Sequence, residues 1–178
     1  YDHDFISCGV GSLNALEKTL HLSKQLTNKD ILFIGSCGIF APFESVSLIT
    51  TESIYWLPSA QRMGTAWSIE KEIPHLNLEE TKGHFLNLPK KTVLTSPLIS
   101  KIPSFDTSLK EIFPKPSNLV ENLELYCFLK NALPIVKSIT IILAITNEIS
   151  LLGRQQWKDN YIEASEITAK FVSDAKWF

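Results

Sequence analysis

Four short glycine-rich or polar clusters interrupt the apolar runs of this 178-residue chain and carry the residue types that could do chemistry. In chain order they are Cys8-Gly9-Val10-Gly11, Gly35-Ser36-Cys37-Gly38, Val120-Glu121-Asn122-Leu123-Glu124 and Ala144-Ile145-Thr146-Asn147-Glu148. Three of them follow an apolar run of strand length, and the third enters a run with helical spacing. Because open α/β sheets bind ligands at the carboxyl ends of their strands, we expect the clusters to converge on one crevice.

The two glycine clusters predict tight turns after strands. Glycine at such a turn lets backbone N–H groups approach an oxyanion, a sugar or a water molecule closely. Either cluster taken alone is also compatible with an ordinary turn that binds nothing. On the binding interpretation, the floor of the crevice consists of Ser36, Cys37 and Gly38.

The other two clusters supply groups that suit a nucleoside. A carboxylate such as Glu124 can accept two hydrogen bonds from a vicinal diol, and proteins commonly bind ribose in this way. An amide such as Asn147 can donate to and accept from the edge of a purine. Two simpler explanations stay open: Glu121 and Glu124 would also stabilise a helix dipole, and Asn147 would also form an Asx turn.

The elements that must position these clusters are those of a parallel sheet. A strand over Phe5–Val10, a helix over Asn14–Leu26 and a strand over Ile31–Ile34 predict a strand–helix–strand unit with a right-handed crossover. The uniformly apolar run Ser138–Ile145 predicts a strand buried on both faces.

Further elements follow from weaker patterns. We predict one or two strands over Ser45–Ile54, a strand over Lys91–Thr95, a helix over Asn118–Asn131 and a closing helix over Asp159–Lys176. The closing helix should turn Ile162, Ile167, Phe171 and Val172 inward. The segments 61–91 and 97–116 predict loops and short elements. The chain therefore predicts a single three-layer α/β domain over residues 1–178.

Composition excludes several classes of protein. Apolar residues make up 44% of the chain and charged residues 20%, as in globular domains. The net charge of −2 gives no electrostatic footprint for nucleic acid or an anionic membrane. Cys8, Cys37 and Cys127 lie in apolar runs without CxxC spacing, so we expect free thiols and no metal. With no long apolar run and no signal peptide, we expect a cytoplasmic protein.

In this order the clusters resemble the nucleoside phosphorylase and nucleosidase superfamily, most closely its futalosine hydrolase-like and methylthioadenosine nucleosidase-like members. There the third cluster reads like Glu-Asn-Met-Glu and the fourth like Ile-Ser-Asn or Ile-Ser-Asp. The stretch Arg154-Gln155-Gln156-Trp157 resembles the following loop of futalosine hydrolases. The resemblance covers about residues 5–55 and 118–172. It implies a three-layer sandwich around a central mixed, mostly parallel sheet, and a role in nucleoside salvage or menaquinone biosynthesis.

The resemblance also implies roles for individual residues. Glu124 would bind the ribose hydroxyls, Leu123 would pack on the sugar where the family usually has Met, and Asn147 would address the five-membered ring of the purine. Glu124 and Asn147 are the predicted catalytic residues. The full set predicted to bind the nucleoside is Gly9, Gly11, Ser36, Cys37, Gly38, Asn122, Leu123, Glu124, Thr146 and Asn147.

Three departures from the family bear on catalysis. Many relatives have Asp where this chain has Asn147, and an amide cannot protonate a leaving purine, although futalosine hydrolase-like members also carry Asn. Longer relatives have a strand before the equivalent of Phe5 with an acid that activates water. Phosphorylases bind phosphate through arginines, and neither Arg62 nor Arg154 lies near a glycine cluster in sequence.

Two functions are therefore predicted. The first is cleavage of a purine nucleoside at its N-glycosidic bond, by hydrolysis rather than phosphorolysis, with no cofactor other than phosphate in the phosphorolytic case. The second is a catalytically impaired nucleoside-binding or oligomer-scaffold protein of the same fold. By analogy with the family we expect a homodimer, and the segment Ile54-Tyr55-Trp56-Leu57 is a candidate for its interface.

Overall fold

The computed structural model describes residues 4–62, 73–78, 83–84, 87–103 and 107–175. Its helices are α1 (Ser12–His21), α2 (Ser23–Leu26), α3 (Ser59–Arg62), α4 (Thr107–Ile112), α5 (Leu125–Ala132) and α6 (Gly153–Asp174), with a short 3₁₀ helix at Pro116–Asn118. Its strands are β1 (Asp30–Ile39), β2 (Ser47–Ile49), β3 (Ser53–Trp56), β4 (His75–Asn77), β5 (Gly83–His84), β6 (Thr92–Thr95), β7 (Leu119–Glu121) and β8 (Ser138–Glu148).

The strands form one mixed sheet in the order β2-β8-β1-β7-β6-β3-β4, with β5 also paired to β8. Parallel pairing joins β1 to β8, β5 to β8, β6 to β7 and β3 to β6. Antiparallel pairing joins β1 to β7, β2 to β8 and β3 to β4. The sheet is therefore mixed and mostly parallel, as the sequence predicts.

Helices cover both faces of the sheet. One face of β1 and β8, represented by Phe33 and Ile141, shares a core with Ala15 of α1, Leu26 of α2 and Leu129 of α5. The opposite face of β8 packs against α6 through a second apolar cluster. Since side chains alternate along a strand, the continuous apolar run of β8 is buried from Ser138 to Thr146. The predicted three-layer sandwich is confirmed.

The first predicted strand is wrong. Residues Phe5–Val10 form no strand, because no neighbouring strand pairs with them and Gly9 has a positive φ of 80°. The Phe5 side chain is 84% exposed. The helix predicted over Asn14–Leu26 exists as two helices that meet at Leu22 and begin at Ser12. Of the predicted strand–helix–strand unit, the helical segment and the second strand are present, and the first strand is absent.

The second glycine cluster is not a turn. Gly35, Ser36 and Cys37 continue β1 and pair in parallel with Leu143, Ala144 and Ile145 of β8. The prediction ended β1 at Ile34 because glycine is a frequent breaker of strands. Here the pairing with β8 outweighs that local preference.

The helix predicted over Asn118–Asn131 is wrong in its first half. Leu119–Glu121 form strand β7, which pairs with β1 on one side and β6 on the other, and α5 begins only at Leu125. Over so short a run, the spacing of the apolar residues does not distinguish a helix from a strand. Tertiary pairing therefore decides the conformation of Leu119–Glu121.

The closing helix begins earlier than predicted, at Gly153, and its last predicted residue, Lys176, lies outside the described residues. Arg154–Trp157 therefore belong to α6 and not to a loop. Ile167, Phe171 and Val172 pack inward as predicted, whereas Ile162 is 56% exposed. Ile162 projects from the outer side because the long helix has only a narrow apolar stripe.

The sheet also changes the basis of the dimer prediction. Ile54–Trp56 lie in β3, and both Ile54 and Leu57 are fully buried in the core. The buried side chains of the segment proposed as a dimer interface therefore pack against other residues of the same chain. The homodimer stays a prediction without that support.

Candidate functional site

Glu124 is held in place by backbone and side-chain donors. Its Oε1 accepts a hydrogen bond from the backbone N–H of Gly11 at 2.7 Å, and its Oε2 accepts one from Nδ2 of Asn122 at 3.0 Å. The two donors come from segments far apart in sequence, the start of α1 and the end of β7. The carboxylate is therefore fixed just past the carboxyl end of β7, beside the part of β1 that contains Ser36.

Asn122 makes this arrangement possible. Its Oδ1 accepts from the backbone N–H groups of Glu124 at 3.0 Å and Leu125 at 2.7 Å, which starts α5. Its Nδ2 donates to the carbonyl of Ser36 at 2.9 Å as well as to Glu124. Two donor and two acceptor positions exhaust what an amide can form. We therefore interpret the buried Asn122 as a positioning residue, while direct contact with a ligand stays a prediction.

Burial raises the pKa of Glu124 above its ordinary value, because desolvation penalises the charged carboxylate. The hydrogen bonds from Gly11 and Asn122 act in the opposite direction by stabilising the ionised form. Burial, and to a lesser extent the charge of the Glu124 carboxylate, raise the pKa of the nearby Cys8 thiol. This environment disfavours the thiolate form of Cys8.

The first glycine cluster forms a true turn. Gly11 has a φ of 86° and precedes α1, so its N–H can point at Glu124 without the strain that a side chain would meet there. Gly9 also has a positive φ, and a Cβ at that position would lie 2.8 Å from the Cβ of Asn14. Of these two glycines, Gly11 is the one that contacts a predicted site residue.

The residues of the second glycine cluster point in different directions. The Ser36 hydroxyl accepts a hydrogen bond from Nε1 of Trp157 at 3.2 Å and faces α6. The Cys37 side chain is buried in the core on the opposite face, where desolvation raises the pKa of its thiol. The Ser36 and Cys37 side chains therefore lie on opposite faces of the sheet, and the floor of Ser36, Cys37 and Gly38 stays a prediction.

Asn147 lies at a bulge between β1 and β8. The register pairs Cys37 with Ile145 and Gly38 with Asn147, so the buried Thr146 is the extra residue. Thr146 Oγ1 donates to Oδ1 of Asn147 at 3.0 Å, and Asn147 Nδ2 donates to the carbonyl of Glu148 at 2.9 Å. A Cβ on Gly38 would lie 2.7 Å from Asn147 Nδ2. Gly38 therefore leaves the space that the amide occupies.

The strand register brings the second, third and fourth clusters side by side across the sheet. Gly38 pairs with Glu121 on one side and with Asn147 on the other, and Asn122 links Glu124 to Ser36. Among the described residues, no hydrogen bond joins Glu124 to Asn147. A cleft of about 620 Å³ lies between the sheet and α6, bordered by Ser36 and Thr146 but by neither Glu124 nor Asn147. Their convergence on one cavity stays a prediction.

Ser12 is a site neighbour that sequence reasoning missed. Its buried hydroxyl lies within hydrogen-bond distance of the carbonyls of Leu123 and, at 3.3 Å, Ser96; its single proton goes to one or is shared between them, which ties α1 to the segment before α5. The half-buried Leu123 is thereby anchored through its backbone. The Gly-Ser dipeptide before a helical run was the available signal, since serine is common at helix starts.

The other acid of the third cluster, Glu121, is held by contacts inside the protein. Glu121 is buried, and its carboxylate accepts hydrogen bonds from the backbone N–H of Ser100 at 2.8 Å and from the Ser100 hydroxyl. Desolvation raises the pKa of Glu121, while these bonds and the charge of Arg62 lower it. Arg62 is also buried, with its guanidinium over the Phe40 ring and Nη2 bonded to the carbonyl of Ile102. Glu121 is therefore not a first-turn helix acid.

The described residues contain no cluster of three or more His, Cys, Asp or Glu side chains arranged to hold a metal ion. The three cysteines are free, with Cys37 buried and the other two half-buried. No helix in the described part of the chain combines the length and apolarity needed to cross a bilayer.

Neither a protein-family model nor a curated protein matches the sequence. The fold itself is that of nucleosidases of known structure. The Streptococcus pneumoniae MTA/SAH nucleosidase in complex with 8-aminoadenine has a TM-score of 0.66 and 14% identity, covering 93% of this chain and 76% of that chain.

Two Helicobacter pylori structures match similarly. A futalosine hydrolase mutant has a TM-score of 0.65 and 11% identity, with 92% of this chain and 75% of that chain covered. An MTAN mutant with 5′-methylthioadenosine in the active site has a TM-score of 0.63 and 11% identity, with 93% and 75% covered. The chain thus spans about three quarters of these proteins. The predicted resemblance is confirmed at the level of the fold.

Proposed function

We propose that this chain binds a purine nucleoside at the carboxyl ends of β1, β7 and β8 and hydrolyses its N-glycosidic bond. The observation that carries the proposal is the fixed carboxylate of Glu124. It is held by the backbone N–H of Gly11 and by Asn122 Nδ2, with the backbone of Leu123 and Glu124 also lowering its pKa. A carboxylate held in this way is oriented in advance to accept from the vicinal hydroxyls of a ribose.

In the proposed reaction the bond between C1′ and the purine nitrogen breaks with its electron pair going to the base. A water oxygen forms the new bond to C1′, and the proton that water loses balances the proton gained by the departing base. Asn147 donates a hydrogen bond to the five-membered ring but transfers no proton, because an amide does not titrate in this range. Glu124 stabilises the oxocarbenium-like ribose through its hydroxyls and its negative charge.

Hydrolysis is favoured over phosphorolysis by the state of Arg62. A phosphate clamp needs a guanidinium that presents free donors to the anion. The Arg62 guanidinium instead stacks on Phe40 and donates to Ile102, and it compensates the buried charge of Glu121. Recruiting it to phosphate would leave Glu121 without that compensation.

The second candidate is a protein that binds the nucleoside without turning it over. Asn147 favours this alternative, because an amide cannot protonate the departing base, and one of its donors and one of its acceptor positions are already used by neighbouring residues. Loss of general acid catalysis costs about 10²- to 10⁴-fold in rate. Binding through Glu124 would persist under this alternative.

The decisive experiment incubates purified protein with adenosine, 5′-methylthioadenosine or futalosine and follows release of the free base by chromatography. Parallel reactions with and without phosphate separate the free sugar, with its 5′ substituent, from the corresponding sugar 1-phosphate as the second product. We expect base and free sugar, and loss of release in Glu124→Gln but not in the exposed control Glu163→Gln.

Thermal shift separates binding from turnover. At a hundredfold excess over Kd, binding to the native state adds about 2.7 kcal/mol, which is roughly 5 °C or more in Tm. We expect this shift with adenosine, little shift with 2′,3′-dideoxyadenosine, and no adenosine shift in Glu124→Ala. Asn147→Ala should reduce the shifts of both adenosine and free adenine. A shift without base release supports the non-catalytic alternative, and no shift with any nucleoside refutes both.

A further inference from the structure

The first turns of α6 lie directly against the bulge that contains Asn147. Gly153, Gln156 and Asn160 are spaced by three and four residues, so they share one face of the helix. A Cβ on Gly153 would lie 2.6 Å from the carbonyl oxygen of Glu148 and 3.1 Å from Nδ2 of Asn147. The helix can therefore approach the bulge this closely because Gly153 has no side chain.

Two amide side chains on this face of α6 bond to the backbone on either side of Asn147. Nδ2 of Asn160 donates to the carbonyl of Thr146 at 2.9 Å, and so holds the peptide group that precedes the Cα atom of Asn147. Oε1 of Gln156 accepts from the backbone N–H of Glu148 at 3.0 Å, and so holds the peptide group that follows it. Because φ and ψ are the rotations of these two peptide groups, the two bonds together fix the direction of the Asn147 side chain.

In the described part of the chain, no strand covers the side of β8 away from β1 at the level of Asn147. Strand β2 pairs with Leu143–Ile145 and stops there. The N–H of Ile149 donates to the carbonyl of Ile39 in β1 at 2.8 Å, so the N–H of Glu148, one residue earlier, faces the opposite side. The amides of α6 therefore take the place of a neighbouring strand along the last residues of β8.

We propose that Gln156 and Asn160 are positioning residues, which hold Asn147 in the orientation in which it meets the purine. The inference rests on the proposed function, in which Asn147 donates to the five-membered ring of the base. Neither α6 side chain contacts the base in this proposal, because each acts through the backbone of β8. The Asn147 amide in turn donates to the carbonyl of Glu148, the residue whose N–H Gln156 holds.

Substitutions on α6 separate these two bonds from the rest of the helix. Gln156→Met removes the acceptor at nearly constant volume, whereas Gln156→Glu keeps an oxygen that can accept from the same N–H and should restore the parent behaviour. Asn160→Asp removes the donor and places a carboxylate opposite the Thr146 carbonyl. Gln155→Met is the matched control, because Gln155 is exposed and bonds to the exposed Asp159 of the same helix.

Nuclear magnetic resonance of ¹⁵N-labelled protein measures the position of Asn147 without any ligand. We expect the side-chain amide resonances of Asn147 to shift in both Gln156→Met and Asn160→Asp. Hydrogen exchange at the Glu148 amide should rise about tenfold in Gln156→Met, because that N–H loses its acceptor. Gln156→Glu and Gln155→Met should match the parent. Unchanged Asn147 resonances in both Gln156→Met and Asn160→Asp would overturn the proposal.

The affinity for free adenine, measured by calorimetry, reports the consequence at the base. We expect Gln156→Met and Asn160→Asp to raise the Kd of adenine about three- to tenfold, as for the loss of one hydrogen bond. In the Asn147→Ala background the same substitutions should weaken adenine binding no further, since the group that they position is gone. A general loss of stability would weaken binding in both backgrounds equally, and that result would overturn the proposal.

Failure of this proposal is distinguishable from failure of the proposed function. If the parent binds adenine and both α6 variants bind it equally well, nucleoside binding stands and the positioning role is overturned. If the parent binds neither adenine nor adenosine, the proposed function is refuted, and the resonance measurement alone decides whether α6 holds Asn147.

Discussion

Removing the Asn122 side chain should destabilise the whole carboxyl end of the sheet. Asn122→Ala deletes two bonds to the backbone amides at the start of α5, a loss comparable to removing a helix cap, about 1 kcal/mol. It also leaves the Ser36 carbonyl and one oxygen of Glu124 without their donor, at about 1–3 kcal/mol for each group. We expect a loss of about 3–7 kcal/mol, or roughly 10 °C or more in Tm.

A second substitution separates the two roles of this side chain. Asn122→Asp keeps the oxygen that accepts from Glu124 and Leu125, so the start of α5 is preserved. It loses both donors and places a second carboxylate beside that of Glu124. Like charges this close raise the pKa of the pair, because one of the two carboxylates then resists ionisation. We expect Asn122→Asp to be destabilised at pH 7 and to recover stability below about pH 5.

Urea denaturation followed by circular dichroism at pH 5 and pH 7 measures both variants, with the exposed Asn118→Ala as control. The control should stay within about 0.5 kcal/mol of the parent. The interpretation of Asn122 as the residue that holds Glu124 fails if Asn122→Asp matches the parent at pH 7. In that case the side chain would serve only to start α5.

Three further predictions concern neighbouring positions. Gly38→Ala should cost about 1–3 kcal/mol and abolish the adenine-induced thermal shift, because its Cβ would displace the Asn147 amide. Glu121→Gln should be more stable than the parent, by an amount that grows as pH rises from about 4. Burial raises the pKa of Glu121, so ionisation of this carboxyl destabilises the folded parent, whereas Gln does not ionise; urea titrations at several pH values measure the difference, with the exposed Glu111→Gln as control. Ile142→Asp should yield no folded protein by circular dichroism, because an unpaired buried carboxylate costs several kcal/mol.

The strands that run through the core were predictable from the sequence. Ile31–Ile34 and Ser138–Ile145 are compact apolar runs, and both lie in the interior of the sheet order as predicted. Their extensions were not predictable. Gly35–Ile39 and Thr146–Glu148 have poor local strand preference; Gly35–Cys37 pair with Leu143–Ile145 of β8, and Gly38 and Ile39 pair with Asn147 and Glu148. Local propensity could not detect a strand that exists only through its partner.

The site residues show the same limit. Glu124 was found because a carboxylate at a helix start suits a ribose, and the structure places it at the start of α5. Asn122 was grouped with it as a ligand contact, since no spacing rule shows that all four of its hydrogen bonds are made inside the chain. Ser12 and Gly11 reach this region only through the packing of α1 against α5.

The contacts proposed for the sugar, through Glu124, and for the base, through Asn147, depend on separate parts of this fold. Glu124 is fixed by Gly11 and Asn122, which belong to segments on the β7 side of β1. Asn147 is fixed by the bulge on the β8 side and by the space at Gly38. No hydrogen bond among the described residues couples the two, so Glu124→Ala and Asn147→Ala should have additive effects on the free energy of unfolding in a double-mutant cycle. A chain of this fold can therefore carry an amide instead of an acid at the position of Asn147 while the Glu124 carboxylate, which we propose binds ribose, stays in place.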